Sequence, residues 1–194
     1  MTDPSSLRRA IQTLHDTYHV PHVVISSIPL RPWLTQLLPP HLRPPADSAD
    51  ADYLACIASS RTDTVGTSAV YAKCFPCLPG YFSGVGDLFS ALVLAHFDGA
   101  SSKGAHDESP LSRAASQAVS QTHAILSLTH EASMALPEDE RQVTDEELDS
   151  REPMRKIKRM RGRELRLIQG QDIIRGTQPI EYRRLEPWTD FWAV

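Results

Sequence analysis

The stretch YFSGVGDLFSALVLAHF, residues 81–97, decides the fold, because two glycines and an aspartate stand directly before a dense apolar run. The apolar run predicts a helix from Asp87 to about Phe97 that is apolar on nearly every side and therefore buried. A buried helix holds its own N-terminus rigidly in place. The residues in front of the helix are therefore the first candidates for a binding site.

The start of this helix has the chemistry of an anion-binding site. The first N–H groups of a helix have no intrahelical partner and carry partial positive charge, so glycines there let an anion approach the backbone. We expect Gly84, Val85 and Gly86 to receive a phosphate or a developing oxyanion, and Asp87 to accept a proton from a hydroxyl in front of it. The alternative is ordinary capping by an acid. The motif is neither a Walker loop nor the dinucleotide fingerprint.

Composition limits the class of protein. The chain has 194 residues, of which 41% are hydrophobic, and a net charge of −4. These values predict a globular protein with one core, and they argue against binding to nucleic acid by charge alone. No apolar run is long enough for a membrane span, and MTDPSSLRRA is not an apolar signal region. With three cysteines, we expect a reducing compartment, the cytoplasm, with the nucleus left open.

The first part of the chain alternates helix and strand patterns. Residues 3–19 predict a helix capped by Asp3 or Ser5, and the β-branched run 22–28 favours a buried parallel strand. A Pro-rich polar loop is expected to follow, to about Asp50. Residues 51–60 and 67–75 then predict an antiparallel hairpin.

The second part is dominated by helix and by charge. Residues 98–110 predict a loop, 111–134 a long helix, and 163–174 a short amphipathic helix. Residues 137–160 hold an acidic run followed by a basic run, which is typical of a solvated or disordered linker. We therefore expect one partial α/β domain over 1–194, with loops or disordered insertions at 31–50, 98–110 and 137–160.

At Phe82–Leu92 the sequence resembles the ribokinase-like superfamily, and within it the pyridoxal kinases, whose motif reads Gly-Thr-Gly-Asp-Leu-Phe after an aromatic residue and one other. HVVISSIPL resembles the strand of that family that ends in Ser-Ser. RELRLIQGQDI resembles its C-terminal helix. The three matches occur in the family's order, over roughly residues 5–175. The resemblance implies the ATP-side, C-terminal half of a three-layer α/β/α ribokinase-like fold.

The resemblance also implies roles for individual residues. Asp87 would deprotonate the 5′-hydroxymethyl group of pyridoxal, and Gly84, Val85 and Gly86 would stabilise the transferring phosphoryl group. The remaining assigned positions would contact ATP: Ser26, Ser27, Phe75 and Leu78. Val85 departs from the family's threonine, which removes a hydroxyl beside the phosphates and keeps the backbone amide.

The resemblance further implies ATP and Mg²⁺, help from K⁺, and a homodimer acting on pyridoxal, pyridoxine or pyridoxamine. It covers only the family's C-terminal half, so no residue here is assigned to the substrate pocket or to metal ligation. We therefore expect the isolated chain to be inactive or weakly active. Two alternatives stay open: a non-catalytic ribokinase-like remnant or binding module, and a related kinase for hydroxymethylpyrimidine or a sugar.

Three other patterns have simpler interpretations. Cys74 and Cys77 form a C-x-x-C without a following helix or a second ligand pair, so incidental thiols are expected. His15, His19 and His22 have weak metal-ligand spacing. The basic run Arg151–Arg166 is expected to pair with the acidic run before it rather than to bind nucleic acid.

Overall fold

The computed structural model describes residues 3–45, 52–62, 67–80, 82–100, 108–141 and 145–193. The helices are α1 (Pro4–Gln12), α2 (Pro32–Leu37), α3 (Val85–His96), α4 (Pro110–Met134), α5 (Glu146–Arg151), α6 (Pro153–Gly162) and α7 (Gln171–Arg175). The strands are β1 (His22–Pro29), β2 (Tyr53–Arg61), β3 (Ser68–Pro76) and β4 (Glu186–Pro187). No helix within the described ranges has the length and apolarity that a membrane crossing needs. The chain divides into two compact units.

The first unit comprises the described parts of 1–77, 89–119 and 182–194 and contains the sheet. The strands lie in the order β1-β2-β3-β4, and every neighbouring pair is antiparallel. The predicted β2–β3 hairpin is confirmed. The predicted parallel direction of β1 is wrong, because β1 pairs antiparallel with β2. A short apolar run has the same composition in a parallel and in an antiparallel strand, so composition alone could not determine the direction of β1.

The core of the first unit forms between the sheet and short helices. Asp3 caps α1 as predicted, with its carboxylate accepting the Ser6 N–H at 3.0 Å, and a π-helical turn over Thr13–Thr17 extends the helix. The α1 residues Leu7 and Ile11 are fully buried. The expected loop over 31–50 is wrong in its first part, because Pro32–Leu42 form α2 and a 3₁₀ turn that bury three leucines. Proline at the first turn of a helix is compatible with helix formation.

The tail of the chain completes this core. Trp188 and Phe191 are among the largest fully buried side chains, with ring centroids 4.9 Å apart. The Arg8 guanidinium donates to the Phe191 carbonyl at 2.6 Å and to the Ala193 carbonyl at 2.8 Å. The first and last described elements of the chain are therefore joined in one unit.

The second unit comprises the described parts of 78–88 and 120–181. The long helix α4, predicted over 111–134, is confirmed, and its second half belongs here. The Gln121 side chain is fully buried and donates to the carbonyls of Ile173 and Ile174 at the end of α7, at 2.9 and 3.0 Å. The amphipathic helix expected over 163–174 is shorter than expected: residues 167–170 form a turn, and helix begins at Gln171.

The charged segment forms helices in much of its described part, whereas a solvated or disordered linker was expected. Residues 138–140 form a 3₁₀ turn, and α5 and α6 follow. The Asp149 carboxylate accepts two bonds from Arg159, at 2.9 and 2.5 Å, and one from Arg155 at 2.8 Å. These guanidiniums lower the pKa of Asp149 to about 2. The acidic and basic runs therefore pair as expected. The paired side chains are largely shielded from solvent, whereas a solvated linker would expose them.

Candidate functional site

The predicted anion cradle is a tight turn that opens α3. Gly84 has φ +84, in the left-handed region, and its carbonyl accepts the first helical bond, from Leu88 N–H at 3.0 Å. A residue with a side chain is strained in this conformation. The glycine is therefore required by the backbone, and a methyl group there would meet only Leu165 Cδ1, at 3.9 Å.

Gly86 has a different role from Gly84. It lies inside the first turn of α3, and a Cβ built on it would meet nothing within 4 Å. Neither φ nor packing requires glycine at this position. The missing side chain leaves the exposed first-turn backbone open, which is what a phosphate needs for close approach.

Helix α3 begins at Val85, two residues before the predicted start at Asp87. Val85 and Gly86 thus belong to the first turn, where N–H groups have no intrahelical acceptor. The Asp87 side chain is exposed and does not point into the core. The complete burial expected for α3 is wrong: Phe89 and Leu92 are buried, whereas Leu94 is 77% exposed.

The backbone just before Gly84 is held by a non-local contact that the sequence analysis did not find. Ser83 N–H donates to the Arg163 carbonyl at 3.3 Å, and Ser83 forms an isolated parallel bridge with Glu164. Phe82 packs edge-on against His130, with centroids 6.4 Å apart. Such pairing leaves no local sequence signal, so only the fold could reveal that the cradle is anchored.

The other predicted nucleotide contacts lie in both units. Ser26 and Ser27 belong to the first unit, where the β1–β2 register shifts between Ile25 and Ile28, and their hydroxyls are 3.5 Å apart. A register shift re-aims side chains, which suits a binding position. Half-buried Phe75 is also in the first unit, on β3, whereas Leu78 is in the second. Of these four predicted nucleotide contacts, only Leu78 belongs to the same unit as the Gly84 turn. The roles of all four residues remain predictions.

The other constellations have structural explanations. Within the described ranges no group of three or more histidine, cysteine or acidic residues is placed to hold a metal. His15 is buried and hydrogen-bonds the Val20 carbonyl at 2.7 Å and the Ser59 hydroxyl at 2.8 Å. Burial raises the pKa of the Cys74 thiol to about 11, whereas Cys77 is exposed.

Comparison with known proteins gives the chain its relatives. No family profile matches the chain. A protein of Schizosaccharomyces pombe assigned as a pyridoxal kinase is 29% identical over 140 residues, which is 68% of this chain and 37% of that protein.

Solved structures give the fold. Pyridoxal kinase from Leishmania donovani in complex with ADP superposes with a TM-score of 0.56 at 21% identity, over 94% of this chain and 45% of that one. Its complex with ADP and pyridoxine gives 0.57 at 21% identity, over 95% and 44%. The chain spans less than half the length of these relatives. The predicted α/β fold class is thereby confirmed: the fold is similar to part of these pyridoxal kinase structures, and the sequence is similar to that of the S. pombe protein.

Proposed function

We propose that this chain carries the phosphoryl-transfer machinery of a pyridoxal kinase, an ATP-dependent phosphotransferase that acts on the 5′-hydroxymethyl group of pyridoxal. The observation that carries the proposal is the turn at residues 84–87. It combines a left-handed glycine, an unobstructed first helical turn and an exposed carboxylate. The S. pombe relative is assigned as a pyridoxal kinase, and the L. donovani structures contain ADP with pyridoxine or pyridoxamine.

The proposed reaction has a simple proton and charge balance. The Asp87 carboxylate takes the proton of the alcohol, and the alcohol oxygen forms a bond to the γ-phosphorus of ATP. The bond from that phosphorus to the bridging oxygen of ADP breaks, and ADP leaves with the electron pair. The N–H groups of Val85 and Gly86 and the helix dipole stabilise the charge on the transferring group.

The proposal assigns the remaining contacts as the resemblance implies. Ser26 and Ser27 bind the ATP phosphates, and Phe75 and Leu78 lie along the adenine. Mg²⁺ is commonly held by one or two carboxylates together with substrate phosphates. No residue of this chain is assigned to metal ligation, and Asp87 keeps its role as the proton acceptor. A homodimer, an effect of K⁺ and a cytoplasmic location are parts of the same proposal.

The test compares Asp87→Asn with Asp16→Asn, an exposed acid in the π-helical turn of the first unit. Labelled ATP, Mg²⁺ and pyridoxal are incubated with each protein, and pyridoxal phosphate is measured together with the affinity for ATP. The loss of a general base lowers turnover by roughly 10²–10⁴-fold, so we expect D87N to lose transfer while it still binds ATP. D16N should match the unchanged chain. Equal and measurable turnover by D87N and D16N would refute the role of Asp87.

The short length relative to the kinases keeps one alternative open, a ribokinase-like module that binds nucleotide without catalysis. We expect the chain alone to phosphorylate pyridoxal poorly. If the chain binds ATP but transfers no detectable phosphoryl group to pyridoxal, pyridoxine or pyridoxamine, the binding module is favoured. Faster transfer to a hydroxymethylpyrimidine or a sugar than to pyridoxal would favour the related kinases instead.

A further inference from the structure

The second unit contains a cavity of about 410 Å³ that the predicted site does not use. Its wall comes from three stretches: the residues just before Ser83, the last turns of α4 with the segment after it, and the end of α6. The segment after α4 and the end of α6 lie within residues 136–163, most of which were expected to form a solvated or disordered linker. The volume lies in the range of small-molecule sites, near its lower end.

One side of the cavity is apolar and incompletely covered. Phe82 and Leu136 are half-buried, and Met134, the last residue of α4, is 57% exposed. The edge-on contact with His130 fixes the Phe82 ring. A methyl group on Gly162 would lie 2.7 Å from Leu136 Cδ1, so the end of α6 packs closely against this wall. These features give a preformed surface on which a flat ring can pack.

The other side of the cavity is cationic. Its charged lining consists of Arg141, Arg159 and Arg163 against one acid, Glu140. The Asp149 carboxylate holds Arg159 through two hydrogen bonds, so the orientation of this guanidinium is set before any ligand arrives. Arginine forks are suited to the oxygens of a phosphate group. Because Asp149 neutralises Arg159, the excess positive charge comes from Arg141 and Arg163 against Glu140. An apolar wall beside this charge selects for a ligand that has both a ring and an anionic group.

We propose that this cavity is a binding site for a small aromatic compound that bears a phosphate group, and that it is separate from the cradle at Gly84. The ring packs against Phe82, Met134 and Leu136, and the phosphate is bound by Arg141 and Arg163. The site is connected to the cradle through the backbone, since Ser83 N–H donates to the Arg163 carbonyl. The binding claim does not depend on the proposed kinase activity, because its readout is affinity alone.

The test measures the affinity of the full chain for phenyl phosphate by titration calorimetry. Arg163→Gln and Arg141→Gln should each weaken binding about tenfold, the scale of a lost charged hydrogen bond. Arg161→Gln is the matched control, because Arg161 is exposed in the last turn of α6, two residues before Arg163, and does not line the cavity. R161Q should bind within about twofold of the unchanged chain. Circular dichroism verifies that all variants are folded.

Four results would overturn the proposal. The first is no saturable binding of phenyl phosphate to the folded chain. The second is an equal loss in R161Q and R163Q, which would indicate general charge attraction. The third is equally tight binding of inorganic phosphate or phenol, which would show that ring and anion are not both required. The fourth is displacement of phenyl phosphate by ATP, which would make the cavity part of the nucleotide site.

Discussion

The two glycines of the cradle make a sharp prediction, because the structure assigns them opposite responses to the same substitution. Gly84 has φ +84, whereas Gly86 lies within the first turn of α3. Neither position is crowded: the nearest atom to a Cβ is 3.9 Å away at Gly84, and none lies within 4 Å at Gly86. Gly84→Ala and Gly86→Ala therefore differ in backbone conformation and not in packing.

The expected free energies follow from that difference. A residue with a Cβ in the left-handed region costs roughly 1–2 kcal/mol, partly offset by the lower entropy of the unfolded chain. We expect Gly84→Ala to lower the free energy of unfolding by about 1 kcal/mol. Alanine stabilises a helix relative to glycine by up to about 1 kcal/mol, and by less in the first turn. Gly86→Ala should therefore raise the free energy of unfolding by about 0.5 kcal/mol.

The assay is urea unfolding followed by far-UV circular dichroism. Tryptophan fluorescence is less suitable, because Trp33, Trp188 and Trp192 all belong to the first unit and the glycines to the second. The slopes of free energy against urea should be equal for all three proteins, so that midpoints report stability alone. The reasoning is refuted if both substitutions shift stability in the same direction, or if Gly84→Ala has no effect.

The same pair separates stability from binding. Under the proposed function, the added methyl group of Gly86→Ala faces the approaching phosphate. We expect ATP affinity to fall about tenfold in that variant, the scale of one lost charged hydrogen bond, although its stability does not fall. An unchanged affinity for ATP would show that the first turn of α3 does not receive the phosphate.

Three further predictions concern parts of the structure away from the cradle. Gln121→Leu should lower the free energy of unfolding by about 1–2 kcal/mol in urea melts, because it removes the side-chain donor from the half-buried Ile174 carbonyl and one of the two donors from the buried Ile173 carbonyl, which keeps the Gly176 N–H. The folded-state pKa of Asp149 is depressed to about 2, so the stabilisation by its arginine partners is present above the ordinary pKa of 3.8 and is lost as pH falls through about 2. Thermal melts between pH 5 and pH 2 should therefore decline more steeply than those of Asp149→Asn; parallel curves would contradict the pairing. Cys77 is exposed while the other two cysteines are buried, so one thiol per folded chain should react rapidly with a thiol reagent at pH 8, and Cys77→Ser should abolish that reaction.

Locally determined features of the fold could be predicted from the sequence. The Asp3 cap, the β2–β3 hairpin and the length of α4 depend on residues close together in the chain, and the structure has all three. The glycine turn before α3 is also local, because the left-handed conformation of Gly84 is one that glycine adopts without strain. The error of two residues at the start of α3 is of the usual size for helix boundaries.

Features that depend on distant partners could not be predicted in this way. The direction of β1 is set by its pairing with β2, across an intervening helix. The charged segment has the composition of a solvated linker, and it forms helices where Asp149 meets Arg155 and Arg159. The bond from Ser83 to Arg163 joins residues 80 positions apart, so no window of sequence around the cradle contains it.

The buried tail of the first unit has a consequence for how the protein is made. The sheet core cannot close until Trp188 and Phe191 are available, and Arg8 has no access to the Phe191 carbonyl before then. On the ribosome, the apolar faces of α1 and the β2–β3 hairpin therefore stay uncovered until the segment around Phe191 has been synthesised. Such delayed long-range closure exposes a chain to premature association, so we expect its yield in cells to depend on chaperone capacity and synthesis rate.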